Sequence, residues 1–208
     1  KNPTVVNCSW GFRQFFNSNS TYNVTFRGTS YSKTQVDASA TAVPAVYYMS
    51  YGFSTYRQFT SVKTTSQSEA NEVANDAGCK NMIFVCAAGN SNGKQEYLNG
   101  TDYNNEVTSG TFYYSSGYDN YFNRPGTPAI TKLGQPDAWI KVGSIDADRM
   151  SGTQERCSSF SDRGPAIDVW AAGSNILSPY AGSGSFADPR DNNFYLRQIS
   201  GTSMATPN

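Results

Sequence analysis

Three short stretches of this 208-residue chain combine residue types and spacing that could do chemistry. In Gly201-Thr202-Ser203-Met204-Ala205-Thr206-Pro207 a small-residue turn exposes a serine hydroxyl. The residues after Ser203 can open a helix, whose N-terminal end favours negative charge nearby. A hydroxyl so placed can attack a carbonyl as a covalent nucleophile. The same pattern also describes a helix capped by its first serine. The second stretch is Ala87-Ala88-Gly89-Asn90, where an asparagine amide could donate a hydrogen bond to a developing oxyanion. Read alone, Gly89-Asn90-Ser91-Asn92-Gly93 is an ordinary turn. The third is Ser9-Trp10-Gly11, in which glycine lets another backbone approach closely.

The elements that must position these residues are legible as apolar, β-branched runs. Thr4 to Ser9, Met82 to Ala88, Ala138 to Gly143 and Ala166 to Trp170 read as buried strands. Residues 68–78 read as a helix, with Ser68 as N-cap, acids in the first turn and Gly78 as its stop. A strand, helix, strand order predicts an α/β fold with a parallel sheet, and such sheets place their chemistry at the carboxyl ends of strands. Ser9 and Asn90 stand at two such ends. Two long polar, tyrosine-rich segments, residues 12–66 and 91–124, read as structured insertions. The first contains strand-like pieces at Tyr22 to Phe26 and Ala45 to Met49. No internal repeat or second domain is evident.

Composition narrows the function classes. Sixteen basic and sixteen acidic residues give zero net charge, with no basic face to track a phosphate backbone, so nucleic acid is not expected as a partner. No apolar run approaches the roughly 20 residues of a membrane span, and no leader-like segment opens the chain. Cys8, Cys79, Cys86 and Cys157 lack CxxC spacing. With no histidine present, a zinc site would need all four cysteines or borrowed carboxylates, and no metal site is assigned. Cys8 and Cys86 lie in apolar runs and read as small buried hydrophobes. Sequons at Asn7, Asn19, Asn23 and Asn99 do not settle the compartment.

The Gly201 to Pro207 stretch resembles the nucleophile motif of the subtilisin-like serine proteases, the subtilases. Further segments resemble the family in the same order: Val5 to Gly11, Phe84 to Asn90, Arg124-Pro125-Gly126, Ile140 to Asp146, Ser158 to Pro165 and Asp168 to Ser178. The resemblance implies a three-layer α/β fold with a mostly parallel central sheet, incomplete at both ends. Residues 1–208 would form the central to C-terminal part of a catalytic domain interrupted near 12–66 and 91–124. It implies Ser203 as nucleophile and Asn90 as oxyanion donor, with Thr202 in support. Ser9, Trp10 and Gly11 would form one edge of a peptide-binding cleft and Ala87, Ala88 and Gly89 the other. The expected substrate is a peptide or protein. No cofactor is assigned with it, and structural calcium, common in the family, stays open. The implied setting is extracellular, secreted or virion-associated rather than cytoplasmic. Trp10, bulkier than the aliphatic residue common there, predicts a restricted or aromatic-lined subsite.

A subtilase needs a histidine base and an aspartate to orient it, and this chain has no histidine. The family's order of motifs places both before Lys1, so the remaining polypeptide is expected to supply them and the 208 residues alone to be inactive. Asp37 falls after the first cleft strand and reads as a surface acid of the insertion. The family's nucleophile opens a long buried helix, so further chain is expected after Asn208, which itself stands where the family usually has histidine. The alternative is a catalytically inactive subtilase-like module of a larger assembly, such as a virion or surface protein. Transfer of a non-peptide acyl group by the same serine is a third reading.

Overall fold

The computed structural model describes residues 3–38, 56–61, 63–76, 79, 81–113, 117–127, 138–151, 154–180 and 186–208. The chain begins with β1 (Thr4–Cys8). The first polar, tyrosine-rich segment then forms β2 (Arg13–Asn17), β3 (Asn23–Phe26), β4 (Thr29–Ser32), α1 (Lys33–Ala38) and β5 (Tyr56–Thr60). A helix, α2 (Thr64–Asn75), leads to β6 (Met82–Ala87), and the second such segment contributes β7 (Glu106–Ser109). There follow β8 (Trp139–Ser151), β9 (Gln154–Cys157), β10 (Val169–Ala172), β11 (Ile176–Tyr180), β12 (Phe186–Asp188), β13 (Asp191–Ile199) and α3 (Thr202–Ala205).

Val5, Val6, Ile83, Val85, Ile140 and Val142 stiffen the backbone toward extended geometry and pack well on a pleated surface. The strands they build form a sheet in the order β1-β6-β8-β10, all parallel, with β9 antiparallel beside β8. This is the expected α/β architecture. On one face Cys8, Phe84, Cys86 and Trp139 are buried together, and Ala70 of α2 packs against them. Each fully buried aromatic of this kind contributes about 1.5–3 kcal/mol. Burial also pushes the Cys8 thiol above its ordinary value. On the opposite face α3 packs over β6, β8 and β10. Beyond it Val5, Ile83 and Val169 of that face remain 64, 43 and 46 % exposed. Parallel sheets are ordinarily covered on both faces.

The two segments share a second core. β2 pairs with β5, and β3 lies between β4 of its own segment and β7 of the other. Phe16, Tyr22, Val24, Val36 and Phe59 from the first bury against Val107 and Phe122 from the second. The ring centroids of Phe16 and Tyr22 stand 5.1 Å apart, edge to face, a geometry the aromatic quadrupole favours. A four-residue strand such as β3 could not bury Val24 by itself, and residues of both segments cover it. Asp37 lies exposed at the margin of this core, ion-paired to Lys33 and accepting a 2.7 Å hydrogen bond from Tyr22 Oη.

A polar knot fastens the two segments. Asp102, 2 % exposed at its side chain, is gripped by the Arg27 guanidinium through Nε at 2.6 Å and a second nitrogen at 3.1 Å. Lys94 and Asn105 bind the same carboxylate, and Lys94 also reaches Glu96 at 3.0 Å. The Arg27 hydrogen bonds, joined by Lys94 and Asn105, hold the Asp102 carboxyl well below the usual carboxylate range despite its burial. A depressed carboxyl stabilises the fold fully above its unfolded value near 3.8 and loses that contribution as pH falls through the lower folded value. Asp102→Asn is therefore expected to lower stability at pH 7, with the deficit shrinking below pH about 4, in urea unfolding followed across pH.

Several boundaries differ from the sequence reading. α2 starts at Thr64 rather than after Ser68, because Lys63 already has the extended backbone of an N-cap position. Ser68 sits inside the helix, its hydroxyl donating to the Thr65 carbonyl at 2.8 Å. The helix ends at Asp76, before Gly78, which lies outside the described residues. β8 runs to Ser151 because β9 pairs back on it, a long-range effect invisible in local pattern. β10 begins at Val169, since Ala166 is held in a turn by the Gln95 carbonyl. Ala45 to Met49 lie outside the described residues. Among the described residues no helix is long and apolar enough to cross a membrane.

Candidate active site

The site is built where β1, β6 and β10 end. Parallel pairing of β1 with β6 places Cys8 opposite Cys86, so Ser9-Trp10-Gly11 and Ala87-Ala88-Gly89 emerge side by side. Gly173, following β10, accepts a 2.8 Å hydrogen bond from the Gly201 amide and so brings the Ser203 turn to the same edge. Residue size matters there. A Cβ on Gly173 would stand 2.4 Å from Ser144 Oγ and 2.7 Å from the Gly201 carbonyl oxygen. Gly173→Ala is expected to cost about 1–3 kcal/mol in denaturant unfolding by overpacking, and to displace the Ser203 turn. Beneath lies a chain of buried hydroxyls: Ser144, Ser158 and Ser174 are linked Oγ to Oγ at 2.7 Å, and Ser161 Oγ accepts the Ser144 amide at 3.0 Å.

Ser203 Oγ donates to the Ser9 carbonyl oxygen at 2.8 Å, across 194 residues of sequence. Thr202, fully buried, links the other elements. The Gly89 amide can only donate, so Thr202 Oγ1 accepts from it at 3.1 Å and must send its own proton to Asn90 Oδ1 at 3.0 Å. The Thr202 amide donates to that same oxygen at 2.9 Å. Two donors thus settle which end of the Asn90 amide is oxygen, and Nδ2 faces the Ser203 turn. The point where a Cβ on Gly201 would stand lies 3.4 Å from Asn90 Nδ2 and 3.7 Å from the Ser203 amide nitrogen. Asn208 donates from Nδ2 to the Ala172 and Met204 carbonyls at 3.0 Å and closes the turn.

A cavity of about 200 Å³ opens beside Ser203, lined by Trp10, Gly11, Phe12, Ala87 to Asn90 and Gly126. A larger apolar hollow of about 490 Å³ lies next to it, between Trp10, Phe12, Ala70, Val73, Phe84 and Trp139. Trp10 meets Phe12 edge-on at 5.5 Å and Trp139 at 6.3 Å. The structure therefore gathers all the residues singled out in the sequence, Ser9, Trp10, Gly11, Ala87, Ala88, Gly89, Asn90, Thr202 and Ser203, around one cleft. No group of three or more cysteine, aspartate or glutamate side chains among the described residues is placed to hold a metal ion.

Sequence reasoning missed Asp162. It is fully buried and accepts from the Ser91 and Gly93 amides at 2.9 and 2.8 Å and from Gln95 Nε2 at 2.9 Å. Burial pushes its carboxyl up to about 7, opposed by those donors and by the Arg163 charge. Its contribution to stability is thus fully present at acid pH, below the ordinary aspartate value, and is lost as pH rises through about 7. The sequence signal was an acid, followed by Arg163, in a Ser158 to Pro165 run otherwise made of serine, phenylalanine, glycine and proline.

Comparison with known proteins agrees with this geometry. A family profile described as the subtilase family matches residues 1–208. The chain is 37 % identical over 93 residues to "Subtilisin-like protease 1" of Arthroderma otae, covering 45 % of this chain and 15 % of that protein. It is 38 % identical over 93 residues to proteins of the same name from Trichophyton rubrum and Arthroderma benhamiae, covering 14 and 18 % of their lengths. The matched stretch thus spans less than a fifth of each of these relatives. With its parallel sheet, its Gly201 to Pro207 turn at the strand ends and a profile match along its whole length, the chain belongs to the subtilase family.

Proposed function

We propose that this chain is the nucleophile-bearing part of a subtilisin-like serine endopeptidase. The observation that carries the reading is the convergence of Ser203, Asn90 and the two glycine-bearing edges on one cleft. An extended peptide would enter between Ser9-Trp10-Gly11 and Ala87-Ala88-Gly89 and pair through its backbone as an added strand. The side chain before the scissile bond would occupy the 200 Å³ cavity, and Trp10 would favour a bulky apolar group in the neighbouring aromatic hollow.

Chemistry then follows from hydrogen-bond geometry. The Ser203 proton is directed at the Ser9 carbonyl, an acceptor suited to a substrate N–H. For attack the hydroxyl turns to a histidine base, which must come from outside these 208 residues because they contain none. As Oγ bonds to the scissile carbon, the histidine takes the proton and the carbonyl oxygen becomes an oxyanion. Asn90 Nδ2 and the Ser203 amide donate to that oxygen. Collapse releases the amine, which receives the proton from histidine, and leaves an acyl-Ser203 ester. Water, activated by the same base, hydrolyses the ester. The exposed face carrying Val5, Ile83 and Val169 supports a longer polypeptide that would cover it. Family membership favours an extracellular setting.

The test is hydrolysis of a mixed peptide library by the complete polypeptide, with and without a fluorophosphonate. Cleavage blocked by the reagent is expected. No cleavage, together with no labelling, would leave an inactive structural module as the better reading.

A further inference from the structure

Asn90 is itself exposed, so packing does not hold it. Thr202 fixes its side-chain oxygen, but its backbone is fastened elsewhere. The Asp162 amide donates to the Gly89 carbonyl at 2.9 Å, and Asp162 Oδ1 accepts the Ser91 amide at 2.9 Å. One residue therefore grips the peptide on both sides of Asn90. The grip extends along the loop: Oδ1 also accepts the Gly93 amide, and Oδ2 accepts Gln95 Nε2, which donates in turn to the Ala88 carbonyl on the cleft edge. Gly164 allows the close approach this requires. Its φ of +123° is one that side chains rarely adopt, and a Cβ there would stand 2.4 Å from the Gln95 carbonyl oxygen.

We propose that Asp162 is a positioning residue for catalysis, setting the backbone that aims Asn90 at the oxyanion. The proposal rests on the reading of Asn90 as an oxyanion donor. Such a donor must be held within about 0.5 Å of its productive place. Removing the carboxylate frees the Ser91 and Gly93 amides and lets the loop drift, while the nucleophile and its turn, which touch neither oxygen, stay in place. Asparagine at this position would keep one oxygen for both amides. Its Nδ2 would face Gln95, whose Oε1 is buried without a hydrogen-bond partner and can turn to accept it, giving up the Nε2 bond to the Ala88 carbonyl.

The experiment is steady-state kinetics on the complete polypeptide carrying Asp162→Ala, Asp162→Asn, Asn90→Ala, or Asn90→Ala with Asp162→Ala, with folding checked by circular dichroism. Asp162→Ala is expected to lower kcat about 10- to 100-fold with KM little changed, and Asp162→Asn to stay within about tenfold of the parent. In the Asn90→Ala background the same Asp162→Ala change should cost less than about threefold, because the group it positions is gone. Full multiplication of the two losses would overturn the positioning role while leaving Asn90 as donor. An Asn90→Ala variant with unchanged kcat would overturn the oxyanion reading and this proposal with it. Should Asp162→Ala not fold, Asp162→Asn decides: a folded protein that has lost more than about tenfold in kcat contradicts the proposal.

Discussion

Replacing Ser203 with alanine in the complete polypeptide is expected to lower kcat for peptide hydrolysis by about a million-fold, with KM changed little. The magnitude is that found when the serine is removed from subtilisin, a member of the same family, where the triad acts as a unit. The structural reason for expecting it here is that Ser203 Oγ donates to the Ser9 carbonyl at the cleft edge, and the Gly201-Gly173 hydrogen bond that holds its turn is a backbone contact. Alanine keeps that turn and the Thr202 contacts to Asn90 and Gly89, so binding survives while the covalent step is lost. Unfolding midpoints of variant and parent should agree to within about 0.5 kcal/mol, as for changes that remove no buried contact. A variant that kept even a hundredth of the parent kcat would place the nucleophile elsewhere.

Asn90→Ala is expected to lower kcat by about 100- to 1000-fold, again with KM little changed, because the lost hydrogen bond forms to the oxyanion and not to the ground-state carbonyl. The range is carried over from removal of the corresponding donor in subtilisin. This chain adds a prediction about its neighbour. Thr202 Oγ1 spends its single proton on Asn90 Oδ1 while accepting from Gly89, so Thr202→Val should loosen the amide and give a smaller loss of the same kind, in kcat rather than KM. Steady-state kinetics on both variants checks the order. A Thr202→Val loss larger than that of Asn90→Ala would mean that Thr202 supports the nucleophile turn and not the amide.

The sheet and the cleft were legible in the sequence for different reasons. Met82 to Ala88 is a continuous apolar run stopped by Gly89, and Val5-Val6 is a β-branched pair ahead of Asn7, patterns that strands of a parallel sheet produce. The serine turn was legible because Gly201 to Pro207 resembles the subtilase motif, and the contacts of Gly173 and Gly201 show why small residues are needed where it meets the strand ends. The shared core of the insertions was not legible. Phe16, Tyr22, Val24 and Phe59 could be suspected of burial, but their partners Val107 and Phe122 lie in a different insertion, and nothing local announces the β3-β7 pairing. Nor was Asp162. An acid among serines reads as a turn residue until the Ser91 and Gly93 amides are seen to converge on it. The start of α2 was misplaced because Ser68 looked like a cap, whereas the turn before it, Thr64 to Gln67, carries no apolar signal of its own.

The central claim is that Ser203 is a covalent nucleophile toward acyl-like electrophiles, and one measurement tests it most directly. The complete polypeptide is treated with a fluorophosphonate, digested, and the adduct located by tandem mass spectrometry. The account predicts one stoichiometric adduct, on Ser203 in the peptide containing Gly201-Thr202-Ser203-Met204, absent after unfolding in urea before treatment. An adduct on any other residue, or none on the folded protein, would contradict it.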